Sequence, residues 1–114
     1  DENIGDVAQS GDNNFGQVLQ NGNDNTADID QGGLDGSGDD NFAFIQQDSY
    51  DNSASITQDG SDNTAEVLQG VDATGTATDH NTGDISQSGD DNTAGIYQAV
   101  TDGASFGEGE DNVA

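Results

Sequence analysis

The sequence predicts an all-β fold: a flattened solenoid of two sheets in which each rung consists of two strands. Three observations support this prediction. A seven-residue pattern, Asn-x-[Ala/Gly]-x-[Ile/Val]-x-Gln, occurs eight times in 114 residues; its small and β-branched positions follow a period of two; and linkers rich in Gly, Asp, Asn and Ser separate the copies. Internal repetition is typical of solenoids, in which each unit buries its core only against its neighbours.

Each copy of the pattern is predicted to form one short strand. Residues two apart in a strand share a face, so the Asn, the small residue, the β-branched residue and the Gln of one copy point the same way. In the sixth copy, Ala65 and Val67 would face inward, and Thr64 and Glu66 outward. The predicted strands are residues 3–9, 14–20, 25–31, 41–47, 52–58, 63–69, 81–87 and 92–98, with a ninth opening at 112–114.

The linkers are predicted to form the corners of the solenoid. Five of them contain four residues, and Gly, Asn, Asp and Ser tolerate the tight, positive-φ turns that such corners need. Three longer linkers, residues 32–40, 70–80 and 99–111, are expected to bulge outward as corner loops. Residues 1–114 would therefore form a single domain.

The outward-facing residues indicate how many strands make one rung. After the first strand, apolar outward residues occur on the even-numbered strands, and the odd-numbered strands carry Thr, Ser and Asp at these positions. Two strands per rung would place the apolar residues on one sheet, whereas three strands would mix them. We therefore predict about four and a half rungs of two strands. The apolar residues are Phe15, Leu19, Phe42, Phe44, Leu68 and Tyr97.

The amide residues that bound each copy are predicted to form ladders along the solenoid axis. An unsatisfied buried polar group costs about 1–3 kcal/mol. Identical Asn or Gln side chains stacked in register avoid this cost because each donates to the next and accepts from the previous one. The ladder residues are Asn3, Asn14, Asn25, Asn41, Asn52, Asn63, Asn81, Asn92, Asn112, Gln9, Gln20, Gln31, Gln47, Gln58, Gln69, Gln87 and Gln98.

Composition excludes several classes of partner. Only 28% of residues are apolar and the formal net charge is −24, values that favour disorder when residue order is ignored; the strict repeat overrides this expectation. Lys and Arg are absent, which argues against binding to nucleic acid or to anionic membrane surfaces. Without Cys there is neither a disulfide framework nor thiolate chemistry, and no apolar segment has the length of a membrane span.

An extended form of the repeat resembles a known family. Residues 58–69 read Gln-Asp-Gly-Ser-Asp-Asn-Thr-Ala-Glu-Val-Leu-Gln, and the same Gln, Gly, Asn and Ala spacing recurs in residues 20–31 and 87–98. This pattern resembles the curlin repeat of curli, the functional amyloid of bacterial biofilms. The resemblance implies a secreted subunit with stacked amide ladders, extracellular fibres for adhesion and scaffolding, and partners for secretion and nucleation. The chain departs from the family in lacking Lys, Arg and the Ser that usually begins each full repeat.

The ends of the solenoid are expected to drive assembly. The repeat begins at Asn3 and is still running at Asn112, so neither end has room for a capping segment. Exposed strand edges are templates for another chain. We therefore expect a homopolymer in which copies stack head to tail as a cross-β fibre, with no cofactor required.

The acidic corners leave two interpretations open. Carboxylates stacked about 5 Å apart repel by roughly 1 kcal/mol per pair even in bulk water, and Ca²⁺, which prefers oxygen ligands, would relieve that repulsion. The alternative is a solvated acidic surface suited to high salt. His80 occupies a corner position where other copies have Asp, and we expect a turn residue there rather than a metal ligand. The candidate calcium-binding residues are Asp12, Asp39, Asp40, Asp62, Asp90 and Asp91.

Function is predicted to be structural. The apolar outward residues listed above would form a stripe for lateral contact, either between protofilaments or with the long loops. An enzyme is not expected, because parallel β-helix enzymes with Asp clusters are normally longer and carry cationic groups, and here the repeat accounts for every Asp cluster. The alternative is a monomeric acidic β-solenoid that binds divalent cations or a surface ligand.

Overall fold

The computed structural model describes residues 2–33, 38–70, 80–101 and 104–110. In this part of the chain, strands account for most residues. Their bounds are β1 Ile4–Gln9, β2 Phe15–Asn23, β3 Thr26–Gln31, β4 Phe42–Tyr50, β5 Ser53–Asp59, β6 Thr64–Gln69, β7 Thr82–Ser88, β8 Thr93–Thr101 and β9 Ala104–Glu110.

The strands alternate between two sheets, which confirms the solenoid with two strands per rung. The odd strands β1-β3-β5-β7 form one parallel sheet, and the even strands β2-β4-β6-β8 form the other. The register pairs equivalent positions of successive copies, so that Val7, Ile29, Ile56 and Ile85 lie in one column along the axis. The parallel strands make four rungs among the described residues. No helix long and apolar enough to cross a membrane occurs in this part of the chain.

The core lies between the two sheets and consists of a single layer of inward-facing side chains from each sheet. Burial alternates along each inner strand, as in β3, where every second residue is buried and the others are exposed. The repeat explains this alternation because its Asn, small, β-branched and Gln positions share the inward face. The buried apolar residues are Ala27, Ile29, Ala43, Ile45, Ala54, Ile56, Ala65, Val67, Ile85 and Ala94.

The corners share one backbone conformation. In copies two to eight, the residue immediately before the repeat Asn has a φ between 55° and 68°, in the left-handed region. Asn, Asp and His are the non-glycine residues most enriched there, so the backbone accounts for the acidic corner positions and for the turn at His80. These residues are Asn13, Asp24, Asp40, Asp51, Asp62, His80 and Asp91.

One prediction about the end of the chain is wrong. Residues 99–111 were expected to form a loop, but β8 extends to Thr101 and β9 occupies Ala104–Glu110. β9 pairs antiparallel with β8, starting from Thr101 opposite Ala104, so it covers an edge that was expected to be bare. The two intervening residues are Asp-Gly, a pair strongly favoured in two-residue hairpins, which the repeat analysis overlooked. The predicted strand 112–114, including Asn112, lies outside the described residues.

Candidate functional site

The Gln residues form two hydrogen-bonded ladders that point one way along the axis. In each, the side-chain Nε2 donates to the Oε1 of the Gln one rung closer to the C-terminus, over 2.7–3.0 Å. Most also donate across the core to a strand of the other sheet; Gln58, for example, donates to the backbone oxygen of Phe42 at 3.0 Å. The ladders contain Gln9, Gln31, Gln58 and Gln87, and Gln20, Gln47, Gln69 and Gln98.

The Asn residues form two further ladders with the opposite direction. The backbone N–H and the Nδ2 of Asn52 both donate to the Oδ1 of Asn25, one rung closer to the N-terminus, at 3.0 and 3.1 Å. The amide also satisfies corner carbonyls, as when the Nδ2 of Asn63 donates to the backbone oxygen of Gly89 at 2.8 Å. The ladders contain Asn3, Asn25, Asn52 and Asn81, and Asn14, Asn41, Asn63 and Asn92.

The two ends of the solenoid differ. We call the outer surface of β1 and β2 the first face, and that of β7 and β8 the last face. The inward residue Val7 on the first face is 40% exposed, whereas its counterpart Ile85 on the last face is 3% exposed. On the even-numbered sheet, Val18 on the first face and Ile96 on the last face are both half-buried. The first face is therefore the more exposed of the two faces.

The ladders end with complementary groups on these two faces. On the first face, the Oε1 atoms of Gln9 and Gln20 accept no hydrogen bond from the described residues. On the last face, the Nε2 atoms of Gln87 and Gln98 each donate only one hydrogen bond within the described chain, so one N–H remains on each. One face thus presents acceptors where the other presents donors.

The acidic residues predicted to bind calcium lie in two adjacent columns at one corner. Asp39 and Asp90 already accept hydrogen bonds there: the Asp12 backbone N–H donates to Asp39 Oδ1 at 2.7 Å, and the Ser61 backbone N–H donates to Asp90 Oδ1 at 2.9 Å. Within the described residues, no group of three or more Asp, Glu or His residues has an arrangement that could hold a metal ion. Calcium binding stays a prediction. The second column contains Asp40, Asp62 and Asp91.

The apolar stripe lies on the outer face of the even-numbered sheet. The rings of Phe15 and Phe42 stack with centroids 5.0 Å apart and planes 6° from parallel, and the two residues are 47% and 41% exposed. Leu19 is also exposed, whereas Phe44 and Leu68 are half-buried.

Tyr97, at the end of this stripe, has a polar partner that the sequence did not reveal. Its hydroxyl donates a hydrogen bond of 2.6 Å to Glu66 Oε2 on the neighbouring strand. This bond, with a smaller contribution from burial, raises the pKa of the Tyr97 phenol above its ordinary value of 10.0.

Comparison with known proteins gives one family. The model of the curlin-associated repeat matches residues 1–33, 38–70 and 78–106, which together make up most of the chain. The first two matched segments each include three strands, β1–β3 and β4–β6, and the third includes β7, β8 and the start of β9. No curated protein and no solved structure gives a match.

Proposed function

The chain belongs to the curlin-associated repeat family, and we propose that it is the subunit of a secreted, self-assembling amyloid-like fibre. The fibre would lie outside the cell, on its surface or in a biofilm matrix, and would act in adhesion and as a scaffold. The family is structural rather than enzymatic. The polar residues that recur in the repeat form the amide ladders and the corner turns, which are structural roles.

The observation that carries this proposal is the complementarity of the two faces. If the first face of one copy meets the last face of another, Gln98 Nε2 can donate to the next copy's Gln20 Oε1. In the same arrangement, the N–H of that copy's Asn14 can donate to Asn92 Oδ1, which continues the bond that joins Asn92 to Asn63 within the chain. Two first faces would instead bring glutamine acceptors together. The amide directions therefore favour polar, head-to-tail stacking.

The negative charge of such a fibre leads us to propose that assembly requires cations. Each copy carries 24 carboxylates and no Lys or Arg. Four rungs at about 4.8 Å occupy about 19 Å of fibre, so one negative charge falls on about every 0.8 Å. Double-stranded DNA carries one on about every 1.7 Å and already condenses counterions. Assembly of this chain therefore concentrates charge strongly, and cations must accompany it.

Calcium is our proposed counterion, since divalent cations condense on a dense line of charge more effectively than monovalent ions do at the same ionic strength. Among the described residues no group of three or more acidic side chains is arranged to enclose a metal ion, so we place Ca²⁺ as a bridge between neighbouring carboxylates along the corner columns. Fibre formation that is equally efficient in chelator and in millimolar Ca²⁺, at fixed ionic strength, would exclude this role.

We also propose that the apolar stripe forms lateral contacts between protofilaments. The stacked and exposed rings of Phe15 and Phe42 lie beside exposed Leu19 on a flat sheet, a surface that a second protofilament can cover. Phe42→Ser should leave single filaments intact while reducing bundling, and electron microscopy can count both. Unchanged bundling would exclude this contact.

The proposed function is tested by electron microscopy and fibre diffraction of the purified chain at several salt and Ca²⁺ concentrations. We expect unbranched filaments with a reflection near 4.7–4.8 Å. Stable monomers under every condition would instead support the monomeric cation- or ligand-binding solenoid.

A pair of variants tests the complementarity itself. Gln98→Glu replaces the remaining donor on the last face with an acceptor and should stop elongation. Gln17→Glu makes the same change in charge on an exposed outward side chain and should elongate like the wild type. Equal elongation by the two variants would contradict head-to-tail pairing through the glutamine ladders.

A further inference from the structure

β9 covers one of the four outer strand edges of the solenoid. Of the strands described, β1 and β2 have no neighbour on the first face and β7 has none on the last face, whereas β8 is paired with β9. The pairing extends over seven residue pairs, from Gly95 opposite Glu110 to Thr101 opposite Ala104. Because β9 is antiparallel and lacks the repeat pattern, it does not begin a fifth rung.

The pairing of β9 satisfies the backbone of β8 but adds little to the core. Directly opposite residues of an antiparallel pair project their side chains to the same face. Ile96 and Gln98, the inward-facing residues of β8 at the end of the repeat, lie opposite Gly109 and Gly107. Glycine has no side chain, so β9 supplies neither an apolar group to cover Ile96 nor an amide to continue the ladder from Gln98.

The first rung of a second copy would supply both groups. Within the chain, Ile96 is paired with Val67 and Gln98 with Gln69. A second copy's β2 stacked on β8 in the same register would place Val18 next to Ile96 and Gln20 next to Gln98. The incoming strand therefore makes the same backbone ladder as β9 and adds the core and amide contacts that β9 lacks.

We propose that β9 is a removable cap on the last face, and that β2 of a second copy displaces it during fibre growth. This inference rests on the proposed function and identifies where growth is controlled. The first face needs no opening, as the exposure of Val7 indicates, so the displacement of β9 is the step that each added copy requires. The cap keeps the single copy soluble until a better-matched strand arrives.

A reversible disulfide tests the cap. Val100 and Ser105 are direct partners between β8 and β9, and the chain has no other Cys to interfere. Directly opposite Cα atoms in an antiparallel pair lie about 4.5–5.5 Å apart, within the range a disulfide spans. In the double variant Val100→Cys with Ser105→Cys, oxidation should lock β9 in place, and the reduced form of the same protein is the matched control.

Two outcomes are expected from seeded elongation followed by microscopy. Oxidised chains alone should fail to elongate, and reductant should restore elongation. Added in small proportion to wild-type chains, oxidised chains should shorten the fibres, because their open first face can join a fibre whose growth their locked last face then stops. Oxidised chains that elongate like reduced ones, or that leave wild-type fibre length unchanged, would overturn the proposal.

A second variant perturbs the cap in the other direction. Gly107→Pro weakens the pairing of β9 with Gln98, since proline lacks the backbone N–H and fits poorly in a paired strand. We expect a shorter lag before wild-type-like fibres form; an unchanged or longer lag would overturn the proposal. If wild-type chains form no fibres at all, the proposed function is refuted. If wild-type chains form fibres and the oxidised variant elongates equally well, only the proposal that β9 is a removable cap is refuted.

Discussion

Removal of one ladder amide should cost more stability than its size suggests. Gln58 is fully buried in the middle of the solenoid, where its Nε2 donates to Phe42 O at 3.0 Å and to Gln87 Oε1 at 2.9 Å. Its Oε1 accepts from Gln31 Nε2 at 2.9 Å. Gln58→Ala therefore deprives three buried groups of a partner.

The expected loss in the free energy of unfolding can be estimated from these three groups. Each buried polar group left without a partner costs about 1–3 kcal/mol, so we expect a loss of about 3–9 kcal/mol in the free energy of unfolding. The cavity left by the missing side chain adds to this loss. Whole domains are stable by only about 5–15 kcal/mol, so this single change should come close to unfolding the chain.

Urea unfolding of the monomer, kept below the concentration at which fibres form, measures the effect. With a denaturant slope of about 1–3 kcal/mol/M, a loss of 3 kcal/mol lowers the urea midpoint by at least about 1 M. Gln17→Ala is the control, since Gln17 is exposed on the outer face of β2 and should change the midpoint little. A Gln58→Ala midpoint equal to that of the control would refute the view that the ladders hold the solenoid together.

Two further predictions concern a corner and the stripe. Gly60→Ala should destabilise the monomer by at least about 2 kcal/mol, because the new Cβ would lie 2.1 Å from the carbonyl oxygen of Gly89. Gly89→Ala also has a positive φ, but its new Cβ would only make an ordinary contact of 3.7 Å with Asn92 Nδ2, so it should cost less; equal urea midpoints would contradict the steric argument. The raised pKa of Tyr97 means that its contribution to stability is complete below pH 10.0 and is lost as the pH rises towards the folded-state pKa. Tyr97→Phe should remove this alkaline loss, and a midpoint profile identical to that of the wild type would show that the bond to Glu66 contributes nothing.

Periodicity explains why so much of the fold could be predicted. In a stacked solenoid each inner strand meets the same surroundings, so a position such as Ile56 repeats the requirement met by Ile29 one rung earlier. The alternation within one copy then identifies the inward face, and the outward residues separate the two sheets. The assignment of Asn and Gln to ladders followed in the same way, because only stacking satisfies their buried amides.

The corner acids show where the same reasoning was incomplete. Asp40, Asp62 and Asp91 were assigned to calcium through their charge, although the left-handed φ that the corners were expected to need already favours Asp at these positions. The preceding residue Asp39 uses its carboxylate to accept the backbone N–H of Asp12, one rung closer to the N-terminus. Composition shows that these residues are acidic, but not which carboxylate oxygens already have partners.

The repeat period was enough to specify strand, inward face, sheet partition and ladder membership, because each of these properties is imposed again at every rung. The features that depart from this regularity could be identified only from the three-dimensional structure. They are the opposed directions of the Asn and Gln hydrogen bonds, the unequal exposure of the two faces and the antiparallel return of β9 onto β8. These features depend on which edges and donors remain after the rungs have stacked, a property of the assembled ends that no single copy of the pattern contains.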